Sequence, residues 1–181
     1  LLIELGFETS IVLDAQATRQ TIKTKLGELV ALAGEGDVIV FTYSGHGTQV
    51  IDINSDEGDT YDEAISVYDG TILDDDLRSI IGTMDPKATL VVVSDSCFSG
   101  TVTRVIPEGT KPRFMPNKEI SGERVVRQRF LLPEANMPEL LLSGCTDSEY
   151  SYDAEIDGRY NGAMSAMALK VIKQNPQASY N

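Results

Sequence analysis

Two residues of this chain have types and settings that suit nucleophilic chemistry. Cys97 lies in LVVVSDSCFSG (90–100) and His46 in VIVFTYSGHG (38–47), each just past a run of apolar residues. His46 is the only histidine in the sequence, and Cys97 follows it by 51 positions. A thiol becomes a good nucleophile when an adjacent imidazole takes or stabilises its proton. Gly45 and Gly47 flank His46. They allow close approach of a substrate backbone and leave main-chain N–H groups free for a developing oxyanion. Taken singly, a cysteine after a buried strand is usually a small core residue, and a histidine in a glycine-rich turn is often only a turn residue. The two together, closing two similar strands, point to a functional site.

The elements that must position this pair follow from pattern. Residues 90–93 are apolar, largely β-branched, too short for a helix and flanked by turn formers, which predicts a fully buried strand. Residues 38–43 predict a second. Parallel neighbours would deliver Cys97 and His46 to one carboxyl edge of an open α/β sheet, where such sheets place their chemistry. Residues 9–13 predict a further strand. Residues 18–33 predict a helix with Ile22, Leu26, Leu29, Val30 and Ala33 on one face and Gly34 as its stop. Residues 52–76 read as an acidic loop without Lys or Arg. Asp74 or Asp75 would then cap a helix bearing Leu77, Ile80, Ile81 and Met84. Residues 140–143 predict a fourth strand, ending at Gly144 and Cys145. Residues 146–159 read as a polar loop, whose part from Asp147 to Asp153 would lie at the same rim by strand direction and shape a substrate groove, and 162–174 as a helix rich in Ala and Met. Strands alternating with helices imply a mostly parallel sheet covered on both faces, a three-layer α/β/α fold.

Between these parts lies a stretch of different character. Residues 104–129 carry Arg104, Lys111, Arg113, Lys118, Arg124, Arg127 and Arg129 together with Pro107, Pro112 and Pro116. No helical or strand period is visible there, so it reads as a basic, mobile linker. The chain is then one domain: residues 1–103 with the Cys/His pair, a linker over 104–139, and residues 140–181. Leu1, Leu2 and Leu5, closed by Gly6, look like the last turn of an amphipathic helix. A helix that short is not stable alone, which leads to the expectation that a strand and most of a helix precede residue 1.

The residues quoted so far resemble the metacaspases and related caspase-like cysteine peptidases of clan CD. The matching pieces are DVIVFTYSGHGTQ (37–49), DEGDTYDE (56–63), LDDDL (73–77), VVVSDSCFSG (91–100), LLLSGCTDSEYSYDA (140–154) and GAMSAMAL (162–169). They cover most of the chain outside the basic stretch. The resemblance implies a caspase-like sheet, a Cys–His dyad with no required third member, and cleavage after Arg or Lys. It makes Cys97 the nucleophile, His46 the acid/base, and the main-chain N–H groups of Gly47 and Cys97 the oxyanion donors. Ser44 and Asp95 match positions lining the pocket for a basic side chain. Phe98 stands where the family pattern often has histidine. Calcium dependence is frequent in the family, and Asp59, Asp74 and Asp75 fall near its acidic site. Clustered carboxylates suit a hard cation, and the plain alternative is a solvated acidic loop. An EF-hand is not expected, because Glu57 occupies the position that needs glycine. The seven basic residues of 104–129 are candidate sites of self-cleavage.

Asp95 invites a separate physical question. In an extended strand it points to the same side as Cys97, and a carboxylate near a thiol disfavours the thiolate. It is either a turn residue bonding local N–H groups or a pocket carboxylate for a cationic substrate side chain. Cys145 has no second histidine to activate it and reads as structural.

The bulk numbers set the outer limits. A length of 181 residues suits a single domain with a substantial core. A net charge of −13 argues against nucleic acid or an anionic membrane as partner and is compatible with a cationic ligand. The two cysteines cannot build a disulfide framework and no C-x-x-C occurs, which suits a reducing compartment such as the cytoplasm. The expected partners are proteins or peptides with a basic P1 residue, and the expected state is a monomer. Two other readings stay open: a catalytically silent caspase-like interaction module, and a Cys–His amidase acting on non-peptide substrates.

Overall fold

A computed structural model describes residues 1–51, 61–97, 110–115, 139–144, 151–156 and 158–175. Its centre is a parallel three-stranded sheet, ordered β1 (Val38–Ser44), β5 (Thr89–Asp95), β7 (Glu139–Ser143). Between β1 and β5 come β2 (Gly47–Ile51), β3 (Tyr61–Val67) and β4 (Gly70–Leu73), which form an antiparallel meander. A third small sheet is ordered β6 (Thr110–Pro112), β8 (Tyr152–Ile156), β9 (Arg159–Gly162). The helices are α1 (Arg19–Leu32), α2 (Asp74–Ile81) and α3 (Ala163–Gln174).

Helices pack on both faces of the central sheet, and its residue pattern explains why. Ile39 and Phe41 of β1 alternate with Val40 and Thr42, and Leu90 and Val92 of β5 alternate with Val91 and Val93. The first set meets Leu26 and Val30 of α1, Ile81 of α2, Met84 and Ala88 in the main core. Full burial of Leu90 contributes about 2–3 kcal/mol. The second set faces the side where α3 packs against β5, β8 and β9. The arrangement is the expected mainly parallel α/β sheet with helices on both faces.

Helix ends follow local chemistry. Thr18 caps α1 by accepting the Thr21 N–H at 3.2 Å. The N-cap of α2 is Leu73, which offers no side-chain bond, so neither Asp74 nor Asp75 is the cap. Both stand with Asp76 in the first turn, where carboxylates complement the positive end of the helix dipole. Lys23 of α1 reaches Asp76 of α2 at 2.6 Å and ties the two helices together.

Four further expectations change. Residues 9–13 form no strand; Ile11 and Leu13 are exposed, and without a neighbouring strand β-branched residues gain nothing from being extended. The acidic region does not stay loop to residue 76, because β3 and β4 form a hairpin over its second half. The polar stretch 146–159 contains β8 and the start of β9. The basic linker contributes β6, in which Pro112 is tolerated on an edge strand. Leu1 to Gly6 do make one turn, with the Leu5 N–H bonded to the Leu1 carbonyl at 2.9 Å and Gly6 at φ +90°.

Candidate active site

The register of the central sheet sets the site. Ser44 pairs with Asp95 across β1 and β5. Two residues beyond each come His46 and Cys97, so both leave the same carboxyl edge on adjacent parallel strands. His46 is exposed and Cys97 is fully buried, at 0 % exposure. The Cys97 thiol donates to the Ser151 carbonyl at 3.0 Å and lies against the Ser151 N–H. It is therefore turned toward the segment leading into β8.

The His46 turn is fixed from beneath. The Tyr43 hydroxyl lies 2.7 Å from both the His46 and the Ser66 carbonyl oxygens, sharing its one proton between them. Burial pushes the Tyr43 pKa up to about 12, against the opposing pull of the Arg113 charge and the Ser66 hydrogen bond. The Ser66 N–H donates to the His46 carbonyl at 2.8 Å. Gly45 has no side chain because the Tyr43 ring occupies the space a Cβ would need.

The N–H groups of Gly47 and Cys97, the two expected oxyanion donors, converge on a single atom. Both donate to the Arg113 carbonyl oxygen, at 2.9 Å and 3.3 Å. The Arg113 side chain is buried at 8 % exposure and extends between the residues expected to read a basic group. Its Nη1 donates to Ser44 Oγ and to the Asp95 carbonyl oxygen, each at 2.7 Å. Its Nε and Nη2 both donate to Asp153 Oδ1, at 2.8 Å and 2.6 Å. The Asp95 carboxylate is 3.8 Å from Nη1. Its nearer bonds go to the Ser151 hydroxyl and, at 2.9 Å, to the Ser165 N–H in the first turn of α3. Asp95 thus faces the pocket and also anchors its walls. Those walls must be bare: a Cβ on Gly162 would fall within the Asp95 carboxylate and against the Arg113 guanidinium.

Two residues of this pocket come from the stretch 147–153, expected at this rim as a whole but with neither of them singled out. Asp153 and Ser151 lie in the stretch that reads as a polar loop, yet both side chains point to one side, as alternate residues of an extended segment do. The Ser151-x-Asp153 spacing was the available signal. Arg113 was expected in an exposed linker and is instead buried, whereas Lys111 is exposed with its ammonium 4.1 Å over the Tyr160 ring. Asp59, Arg104, Lys118, Arg124, Arg127, Arg129, Phe98 and Cys145 lie outside the described residues.

Of the three expected cation ligands only Asp74 and Asp75 are described, and among the described residues no three His, Cys, Asp or Glu side chains come together as metal donors. Asp74 meets Arg78 at 3.1 Å, with Asp75 4.0 Å from the same guanidinium. Asp74 and Asp75 thus both face one cation of the chain itself.

Comparison with known proteins places the chain in a family. The model of the metacaspase, peptidase C14 domain matches residues 5–106, more than half of the chain. The chain belongs to the metacaspase family. Similar curated relatives are Metacaspase-1A of Aspergillus oryzae, 28 % identical over 92 % of this chain and 49 % of the relative, and Metacaspase-1 of Mycosarcoma maydis, 30 % identical over 90 % and 50 %. The metacaspase chain described here spans about half the length of the curated relatives it matches. Among solved structures, a Geobacter sulfurreducens protein superposes with a TM-score of 0.72 and 30 % identity, over 96 % of this chain and 68 % of the other. In the described structure no helix is long and apolar enough to cross a membrane.

Proposed function

We propose that this chain is a cysteine endopeptidase that cuts after Arg or Lys by a Cys97–His46 dyad. The observation that carries the reading is the convergence of the Gly47 and Cys97 N–H groups on one carbonyl oxygen, while the same residue's guanidinium is held by Ser44, Asp95 and Asp153. A site that grips the arginine side chain and polarises its carbonyl is arranged for attack on that carbonyl carbon.

In the proposed cycle His46 takes the Cys97 proton as the thiol turns from Ser151 toward the substrate. The thiolate adds to the P1 carbonyl carbon, and the oxyanion forms against the Gly47 and Cys97 N–H groups. As the C–N bond breaks, the His46 imidazolium gives its proton to the leaving amine. Water activated by His46 then adds to the acyl-enzyme carbonyl, and the C–S bond breaks to regenerate the thiol and release the acid. A calcium site built on Asp59, Asp74 and Asp75 is kept as a proposal apart from this cycle, and no step runs through it.

The test is hydrolysis of fluorogenic peptides ending in Arg, Lys, Asp or Leu, with small non-peptide amides in parallel. Arg and Lys peptides should be cleaved, and Cys97→Ala should abolish the activity. No turnover of any peptide would favour the interaction module, and turnover of non-peptide amides alone would favour the amidase.

A further inference from the structure

The occupant of the pocket is part of the chain itself, and its whole backbone lies as a bound peptide would. β6 pairs antiparallel with β8, in the register Thr110 with Ala154, Lys111 with Asp153 and Pro112 with Tyr152. The Arg113 N–H then donates to the Ser151 carbonyl at 3.0 Å. Beyond Arg113 the chain crosses to the other side of the site. Phe114 forms a bridge to Gly47, the Met115 N–H donates to the Gly47 carbonyl at 2.9 Å, and Thr48 Oγ1 donates to the Met115 carbonyl at 2.8 Å. An extended segment added to a sheet edge, with alternate side chains in pockets, is a general mode of peptide recognition.

An arginine buried only for structural reasons would need its side-chain partners. It would not need its carbonyl between the two N–H groups beside the nucleophile, nor a strand entering on one flank of Cys97 and His46 and leaving on the other. We infer that residues 110–115 are an internal occupant of the substrate groove, with Arg113 seated as the P1 residue, so that this conformation is self-blocked. The inference rests on the peptidase reading above. An external substrate with a basic P1 residue must displace Arg113 before it can bind. A tethered ligand competes at high effective concentration, and the apparent affinity of an outside ligand falls by the fraction of molecules left open.

The experiment uses agmatine, a bare arginine-like guanidinium, as probe. Its affinity is measured calorimetrically in the Cys97→Ala chain with Arg113 intact and with Arg113→Ala. Emptying the pocket should tighten binding by about tenfold or more, as expected when the open fraction rises from a minority to nearly all molecules. Equal affinities, or no binding to either chain, would overturn the inference. Because Arg113→Ala leaves Asp95 and Asp153 without their cation, a second measurement keeps Arg113. A synthetic Thr-Lys-Pro-Arg-Phe-Met peptide, copied from residues 110–115, is added in excess to the Cys97→Ala chain. Amide exchange at Arg113 and Met115 should rise as the segment is displaced, and unchanged protection would count against the seat. Neither measurement depends on turnover. Loss of all peptide hydrolysis with tight agmatine binding in Arg113→Ala would fault the peptidase reading alone. Normal hydrolysis with equal agmatine binding would fault the internal seat alone.

Discussion

At the scale of single residues, two carboxylates share the work around one guanidinium, and they share it unequally. Asp153 accepts from two nitrogens of Arg113, while Asp95 sits 3.8 Å away and holds Ser151 and the first turn of α3. Asp153→Asn should therefore lower kcat/KM for Arg peptides by about 30-fold or more, some 2 kcal/mol of transition-state binding. Asp95→Asn should lower it too, and should also lower the melting midpoint, because an uncharged amide caps α3 less well and Asp95 is fully buried. Unchanged Arg cleavage in Asp153→Asn would remove that residue from the pocket. Tyr43 gives a pH prediction. Its pKa of about 12 lies above the ordinary 10, so the folded state keeps the proton that the unfolded state releases first. Its stabilising effect is complete below pH 10 and is lost as pH rises through about 12. Urea denaturation across this window should show a smaller alkaline loss for Tyr43→Phe than for wild type. At neutral pH the same variant should cost about 1 kcal/mol, since the hydroxyl bridges two carbonyls. The placing of Cys97 and His46 at one sheet edge could be read from the sequence, because each follows a strongly apolar strand, whereas the family resemblance points to Ser44 and Asp95. Asp153 could not be singled out, because nothing apolar marks the segment that carries it.

Elements show the same division. β1, β5 and β7 are visible as the apolar runs 38–41, 90–93 and 140–142, because helices pack on both faces of the sheet and favour apolar residues on each. The strands of the two small sheets carry Asp62, Glu63, Asp153 and Glu155 among their residues and are held by pairing, which leaves little hydrophobic period to read. β6 is harder still, a short edge strand containing proline whose partner lies some forty positions on, Thr110 against Ala154. The central sheet should be correspondingly intolerant: Leu90→Ala removes a fully buried side chain and should cost about 2–5 kcal/mol by denaturant titration. α2 offers the cation test. If calcium is held by Asp59, Asp74 and Asp75, millimolar calcium should raise the thermal midpoint by linkage, and the double variant Asp74→Ala, Asp75→Ala should lose that response. No heat of binding and no change in midpoint would leave Arg78 as the cation that serves this turn.

On the scale of the whole molecule, the proposed activity would have candidate cleavage sites within its own chain. Mass spectrometry of wild-type protein should find new C-termini at Lys or Arg within residues 104–129, and none in Cys97→Ala. An intact chain with full activity would show that such processing is not required. What a cut would leave behind follows from β5 and β7. They belong to opposite sides of the basic stretch, yet run parallel through five paired positions, from Leu90 with Glu139 to Ser94 with Ser143. Asp95 adds a second clasp by holding Ser151 and α3, both C-terminal to the stretch. A nick is therefore not a separation. The two fragments should run apart under denaturing conditions and co-elute in a sizing column at the mass of the uncut chain. The cut protein would then be a noncovalent heterodimer whose seam runs between β5 and β7 of its own central sheet.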